Sequence, residues 1–215
     1  MTISDESVLY PELVAYVRKS EGAFDQIPGD RRAKLELVAA YVQQRAGKKR
    51  GARLTFICTH NSRRSHMAQI WAQTAAALYG VAGVHTFSGG TEATAFHPNA
   101  VAALRRAGFA IEKSGDGDNP VYTVRFGADS PVLEAFSKVY SAAPNPSEGY
   151  CAVMTCSEAD SKCPVVVGAD LRVAVHYEDP KESDGTGSES ARYDETCRQV
   201  SREMLYLFSL AGQGR

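Results

Sequence analysis

Apolar residues occur along this chain in two kinds of pattern, short continuous runs and longer stretches of helical spacing. The short runs are rich in β-branched and aromatic residues and predict four β-strands, at residues 54–57, 84–87, 152–154 and 171–175. The helical stretches lie between and after these runs. Strands that alternate with helices are typical of an α/β fold with a parallel sheet, so we expect such a sheet at the centre of the protein.

Three helical stretches follow the first, second and fourth of these strands. The first continues until Gly80, and the second begins near Pro98 and ends at Gly108. Proline is favoured at the first position of a helix and glycine just after its end. The third stretch covers about residues 189–210 and should pack one apolar stripe across the sheet. That stripe comprises Tyr193, Cys197, Val200, Met204 and Phe208.

The composition predicts one sizeable hydrophobic core and argues against several classes of function. Of the 215 residues 44% are hydrophobic, and 24 Lys and Arg against 25 Asp and Glu give a formal net charge of -1. A near-neutral chain is unsuited to general nucleic-acid binding, and no apolar run approaches the length that spans a membrane. The odd total of five cysteines and the lack of a signal-peptide pattern predict a cytoplasmic protein.

The segment most informative about chemistry is the eight residues 58–65, between the first strand and the first helix. One tight loop there can hold both Cys58 and Arg64. The amide groups of such a loop, together with the positive end of the following helix, bind a tetrahedral oxyanion and favour the thiolate of Cys58. Arg64 can bind two oxygens of phosphate or arsenate with its planar fork. We therefore predict an oxyanion site formed by Thr59, His60, Asn61, Ser62, Arg63, Arg64 and Ser65.

Two residues of this loop have side chains suited to such a site. Ser65 could donate its hydroxyl to Cys58, and Asn61 is a residue type that tolerates a left-handed backbone. The alternative interpretation is a buried cysteine that simply ends a core strand.

These residues resemble the active-site loop of the low-molecular-weight protein tyrosine phosphatases and of the thioredoxin-coupled arsenate reductases built on the same fold. The resemblance covers about residues 53–210 and implies a three-layer α/β fold with a central four-stranded parallel sheet of order 2-1-3-4. It also implies that Cys58 attacks the oxyanion, that Arg64 binds it, and that the aspartate of an Asp-Pro pair is the general acid. Asp179 belongs to such a pair after the fourth strand, at the edge where open α/β sheets place their sites. Glu178 and Asp184 compete for the same role.

A second cysteine cluster, Cys156 and Cys163, follows the third strand and resembles the redox segment of the thioredoxin-coupled reductases. Once a thiolate has bound arsenate, a resolving thiol must free the first cysteine, and a third thiol lets the disulfide move toward an external reductant. The resemblance implies that Cys58 forms the arsenic adduct and that Cys156 resolves it to a Cys58–Cys156 disulfide. Cys163 would then take over and leave Cys156–Cys163 exposed.

Other interpretations of the cysteines fit the sequence less well. A structural zinc site requires close pairs of ligands, and the chain has no Cys-x-x-Cys. A static disulfide suits an oxidising compartment. We expect Cys151 and Cys197 to be inert core residues.

Two segments depart from the family pattern. We expect residues 1–50 to form a helical extension, with helices predicted at 11–18 and 31–45 before a basic linker, and residues 51–215 to form the phosphatase-like catalytic domain. The extension has no acid, base or nucleophile, so we expect it to pack on the domain or on a partner subunit rather than to read DNA. Residues 116–146 predict an inserted β-hairpin that could wall the pocket or shield the exposed disulfide.

A further departure lies near the loop, at Gln69, where some relatives carry an acidic residue. This change puts in doubt the potassium site that those relatives build there, and we expect no metal and no cofactor.

The leading hypothesis is the reduction of arsenate to arsenite with electrons from thioredoxin. Phosphatase action through a Cys58 phosphocysteine is the close alternative, because both activities would use Cys58, Arg64 and Asp179. A third hypothesis is a redox-sensing or adaptor module whose loop binds anions without turnover. Neither nucleic acid nor membrane is an expected partner.

Overall fold

The computed structural model describes residues 5–214, which form six α-helices and seven β-strands. The helices are α1 (Pro11–Glu21), α2 (Gly29–Arg45), α3 (Arg64–Leu78), α4 (Pro98–Ala107), α5 (Ser157–Lys162) and α6 (Glu189–Ala211). The strands are β1 (Ala52–Cys58), β2 (Val84–Gly90), β3 (Ala110–Ser114), β4 (Val121–Arg125), β5 (Leu133–Ala135), β6 (Tyr150–Met154) and β7 (Ala169–Ala174). None of the described helices is both long and apolar enough to cross a membrane.

The central sheet has four parallel strands in the order β2-β1-β6-β7. These are the four strands predicted from the apolar runs, and their order confirms the predicted 2-1-3-4. Cys58 ends β1 opposite Gly90, the last residue of β2. The loops that follow β1, β2, β6 and β7 therefore meet at one edge of the sheet.

A smaller antiparallel sheet of order β3-β4-β5 contains the inserted hairpin. The hairpin predicted within residues 116–146 is formed by β4 and β5, and its second strand is short, spanning only Leu133–Ala135. The chain beyond it leaves the small sheet and forms an isolated bridge between Val139 and Gly90 of the central sheet. The insertion thus reaches the edge at which β1 and β2 end.

Alternating side chains of the central strands bury opposite faces of the sheet. Phe56 of β1 and Val153 of β6 belong to the main apolar cluster, which also contains residues of α3 and α6. Ile57 and Met154 face the other way and pack with Ala159 of α5 in a second cluster. The sheet therefore lies between two layers of covering structure.

The first two helices pack against the long closing helix. Leu13 of α1 and Leu35 of α2 are fully buried in the main apolar cluster. Arg31 donates from Nη2 to Glu203 Oε2 of α6 at 2.8 Å, and the Glu203 side chain is 1% exposed. The guanidinium of Arg31 also lies 4.6 Å from the ring centroid of Tyr177.

Candidate active site

The loop between β1 and α3 surrounds a nearly buried thiol. Cys58 is 4% exposed, and its Sγ lies 3.1 Å from Ser65 Oγ. Asn61 has the left-handed backbone that its residue type tolerates (φ 45°), and its Nδ2 donates to Ser65 Oγ at 2.9 Å. Because that oxygen already accepts the amide hydrogen, the Ser65 hydroxyl hydrogen is free to point at the sulfur of Cys58.

The outer side of the loop is fixed by the chain that follows β2 and β5. Thr91 N donates to the Cys58 carbonyl at 3.1 Å, and Glu92 N donates to the Thr59 carbonyl at 2.8 Å. Ser137 Oγ donates to the carbonyl of His60 at 2.9 Å. With these carbonyls bound on the outside, no described residue accepts from the amides of residues 59–63. Such a row of free amides can bind an oxyanion.

A glycine lets the loop lie against β2. A Cβ atom at Gly90 would approach Asn61 N to 2.7 Å and the Thr59 carbonyl oxygen to 2.6 Å. Any larger residue would push these backbone atoms away.

Arg64 begins α3 and reaches the loop that follows β7. Its Nη1 donates to the Tyr177 carbonyl at 2.9 Å, and its Nη2 donates to Asp179 Oδ2 at 2.6 Å. The Arg64 side chain is 12% exposed and that of Asp179 is 28% exposed. The two side chains predicted as oxyanion ligand and general acid therefore lie together, while Glu178 is exposed and makes no described contact with the loop.

Arg63, the neighbouring residue, makes a second link between these two loops. It donates from Nε to Tyr193 Oη at 2.7 Å and from Nη2 to Asp184 Oδ2 at 3.2 Å. Tyr193 Oη donates to the other oxygen of Asp184 at 2.8 Å and lies 3.3 Å from His97 Nδ1. Burial raises the pKa of Tyr193 to about 12, so it remains a neutral donor.

Asp184, a sequence candidate for the general acid, is thus occupied with Arg63. The sequence predicts Tyr193 only as part of an apolar stripe, and it indicates no role for His97. No local pattern marks either residue, because their partners are far away in the chain.

The predicted loop residues point in different directions. The side chain of His60 faces outward, with Nε2 4.0 Å from Glu92 Oε2. Ser62 is buried, and its carbonyl accepts from the amide of His97 at 2.9 Å. Since no described residue accepts from them, the main-chain amides of both residues are free to contribute to an oxyanion site.

The second cysteine cluster lies beside the loop. Thr59 Oγ1 is 3.4 Å from Cys156 Sγ, and Cys156 is 1% exposed. The sulfur of Cys156 also caps α5, since it accepts from Ala159 N at 3.4 Å. Cys58 and Cys156 belong to the same buried cluster, and the partly exposed Cys163 packs against it. The fold therefore brings together the three cysteines that the sequence singled out.

The remaining two cysteines lie in the main apolar cluster. Burial raises the pKa of the Cys151 thiol well above its usual range and that of Cys197 to about 11. Both thiols remain protonated at neutral pH, as expected for inert core residues.

The chain is similar in sequence to known proteins. Residues 53–116 match the family model described as low molecular weight phosphotyrosine protein phosphatase. An arsenate reductase of Brevibacillus brevis is 32% identical over 125 residues, which cover 58% of this chain and 74% of the relative. An arsenate reductase of Bacillus licheniformis is 28% identical over 159 residues, which cover 74% of this chain and 95% of that relative.

Among solved structures, a low molecular weight phosphotyrosine phosphatase of Vibrio cholerae O395 has a similar fold. Its TM-score is 0.50 at 13% identity, with 74% of this chain and 95% of that chain covered.

Proposed function

Since the chain belongs to the low molecular weight phosphotyrosine protein phosphatase family, we propose that it reduces arsenate to arsenite by a thiol–disulfide relay. The relay runs through Cys58, Cys156 and Cys163, and thioredoxin recycles it in the cytoplasm. The observation that carries the proposal is the contact of Cys156 with Thr59, directly beside Cys58. A phosphatase needs no second thiol at that position.

The first step joins sulfur to arsenic. The thiolate of Cys58 attacks the arsenic of arsenate, and one arsenate hydroxyl leaves as water after taking a proton from Asp179. The free amides of residues 59–63 and the fork of Arg64 bind the remaining oxygens, where negative charge develops. Arg64 must turn from Asp179 toward the oxyanion to do so, and this releases the carboxyl group for proton transfer.

The second step releases the product. The thiolate of Cys156 attacks the sulfur of Cys58, the S–As bond breaks, and its electron pair stays on arsenic, which leaves as arsenite. A Cys58–Cys156 disulfide remains. Cys163 then attacks Cys156, frees Cys58 and forms the Cys156–Cys163 disulfide. Thioredoxin reduces this disulfide and is itself oxidised, so that two electrons pass from thioredoxin to arsenic in each cycle.

The attack of Cys163 on Cys156 requires α5 to unwind. Cys156 and Cys163 flank this six-residue helix. A helical rise of about 1.5 Å per residue over seven residues places their Cα atoms about 10 Å apart. A disulfide needs Cα atoms within about 7 Å. Because Cys156 Sγ is also the cap of α5, its incorporation into a disulfide weakens the helix that must open. A helix of this length has little stability of its own.

The test is arsenate-dependent oxidation of thioredoxin, compared between the wild type, Cys156→Ser and Cys163→Ser. We expect both variants to lose multiple turnovers. After one equivalent of arsenate, Cys163→Ser should accumulate the Cys58–Cys156 disulfide, which peptide mapping by mass spectrometry detects. Cys151→Ala is the matched control, because it removes a buried thiol outside the relay. If both serine variants fold and oxidise thioredoxin at the wild-type rate, the relay is wrong.

Phosphatase action is the second candidate function, and the pairing of Arg64 with Asp179 supports it as well as arsenate reduction. A phosphomonoester needs a general acid to protonate its leaving oxygen, and Asp179 lies where it could serve. Hydrolysis of p-nitrophenyl phosphate that survives Cys156→Ser and disappears in Cys58→Ser would show this activity. If it exceeds arsenate reduction in kcat/KM, phosphatase action is the main function.

A further inference from the structure

Lys138 is a buried lysine in the chain that follows β5. It is 6% exposed, and burial alone, with no carboxylate of a described residue, shifts its pKa. Its Nζ donates to the Phe136 carbonyl at 3.1 Å and lies 4.3 Å from the centroid of the Phe136 ring. Burial lowers the pKa of Lys138 to about 8, so this amine is still mostly protonated at neutral pH. The interior beside the site thus holds a positive charge without an anionic partner.

The main chain of Lys138 is tied to the catalytic loop on two sides. Its N–H donates to Asn61 Oδ1 at 2.9 Å, and its carbonyl accepts from Gly90 N at 2.8 Å. The Asn61 amide in turn donates to Ser65 Oγ, which lies 3.1 Å from Cys58 Sγ. A continuous chain of hydrogen bonds therefore leads from the inserted segment to the sulfur of Cys58.

The buried polar groups around the Lys138 side chain carry no negative charge. His66, the residue after Ser65, is fully buried, and burial and the charge of Lys138 lower its pKa to about 3. Gln69 and Asn145 line the same cavity of about 330 Å³ as Lys138. The Oε1 of Gln69 and the Oδ1 of Asn145 are buried and accept no hydrogen bond from a described residue. Glu134 also lines this cavity but is exposed and forms no ion pair with the lysine.

These groups do not fit the potassium site that some members of the family build near the loop. Gln69 supplies no negative charge, and its Nε2 donates to the Thr86 carbonyl at 3.2 Å. A fixed ammonium in the same cavity would repel a bound cation.

We propose that Lys138 is the built-in cation of this site. Its ammonium takes the place of a bound monovalent ion, and Lys138 is a positioning residue that holds Asn61 and stabilises negative charge on Cys58. The inference rests on Cys58 being the nucleophile of the proposed function, but not on which oxyanion Cys58 attacks.

The experiment measures alkylation of Cys58 by iodoacetamide, which follows the thiolate population. Lys138→Met removes the charge but keeps the main-chain N–H that binds Asn61. At pH 6.5 we expect its alkylation rate to fall by a factor of about three to ten, with the difference disappearing at alkaline pH where both thiols are ionised. Lys113→Met, an exposed lysine of β3, is the matched control and should react at the wild-type rate.

A second arm replaces potassium chloride by N-methylglucamine chloride at constant ionic strength. Turnover of the wild type should not change, whereas Lys138→Ala should require potassium or ammonium ions, which can enter the space left by the side chain. Activation of the wild type by potassium would overturn the inference. So would a folded Lys138→Met variant whose Cys58 is alkylated at the wild-type rate. If Lys138→Met does not fold, the potassium response of the wild type decides alone.

The failure of this inference can be told from a failure of the proposed function. If Cys58 of the wild type reacts no faster than a free thiol at pH 6.5, the proposed role of Cys58 as the nucleophile is wrong. A reactive Cys58 that is insensitive to Lys138 contradicts only the role of the lysine.

Discussion

The hydroxyl of Ser65 offers the most direct test of whether the loop activates Cys58. Ser65 is fully buried, and its Oγ lies 3.1 Å from Cys58 Sγ and 2.9 Å from Asn61 Nδ2. Since Asn61 donates to this oxygen, the single hydroxyl hydrogen of Ser65 can be given to the sulfur. Ser65→Ala therefore removes one hydrogen bond to the thiolate and changes little else in shape.

The expected size follows from the energy of such a bond. A hydrogen bond to a charged group is worth about 1.5–3 kcal/mol, and about 1.4 kcal/mol corresponds to a factor of ten. We expect the alkylation rate of Cys58 at pH 6 to fall by a factor of about 10–100, and turnover to fall with it. The substitution also leaves Asn61 Nδ2 without an acceptor, which should lower the free energy of unfolding by about 1–3 kcal/mol.

The assay is alkylation by iodoacetamide with peptide mapping, alongside urea unfolding to show that the variant is folded. Ser62→Ala is the matched control, because its hydroxyl lies in the same loop and forms no hydrogen bond with a described residue. That control should react within about twofold of the wild type. A folded Ser65→Ala that is alkylated as fast as Ser62→Ala would refute the hydroxyl's role.

Three further results are expected. Asp179→Asn should lower turnover by a factor of about 10²–10⁴ while Cys58 is still alkylated, because only the proton donor is lost; unchanged steady-state turnover would exclude Asp179 as the acid. Glu203→Gln should lower the free energy of unfolding in urea by about 3–5 kcal/mol, because Arg31 loses its buried partner, and a loss below about 1 kcal/mol would contradict this. Lys138→Met should raise the free energy of unfolding by up to about 3 kcal/mol at pH 7, since folding lowers the pKa of Lys138 from 10.5 to about 8. That gain should fade between pH 8 and 10.5, as the folded lysine becomes neutral, and its absence at pH 7 would show that the buried charge carries no cost.

The parts of the site that the sequence predicted are those formed within one short segment. Cys58 and Ser65 are seven residues apart, and a strand, a tight loop and a helix bring them together without help from the rest of the chain. The Asp-Pro pair is implied by the family resemblance, and its position after a strand agrees with a site at the edge where parallel strands end. The order of the strands came from the family resemblance, since periodicity does not say which strands are neighbours.

The tertiary structure decided which distant residues complete the site. Lys138 binds Asn61 across 77 residues, and Tyr193 binds Arg63 across 130 residues. In the sequence, Tyr193 is one member of an apolar stripe and Lys138 is an ordinary lysine within the predicted hairpin. Contacts of this kind depend on how whole helices and sheets pack, and no local propensity encodes them. The sequence by itself therefore predicted the candidate nucleophile and its loop, because they lie within one short segment, while only the packing of the inserted segment and of α6 determined what holds that loop in place.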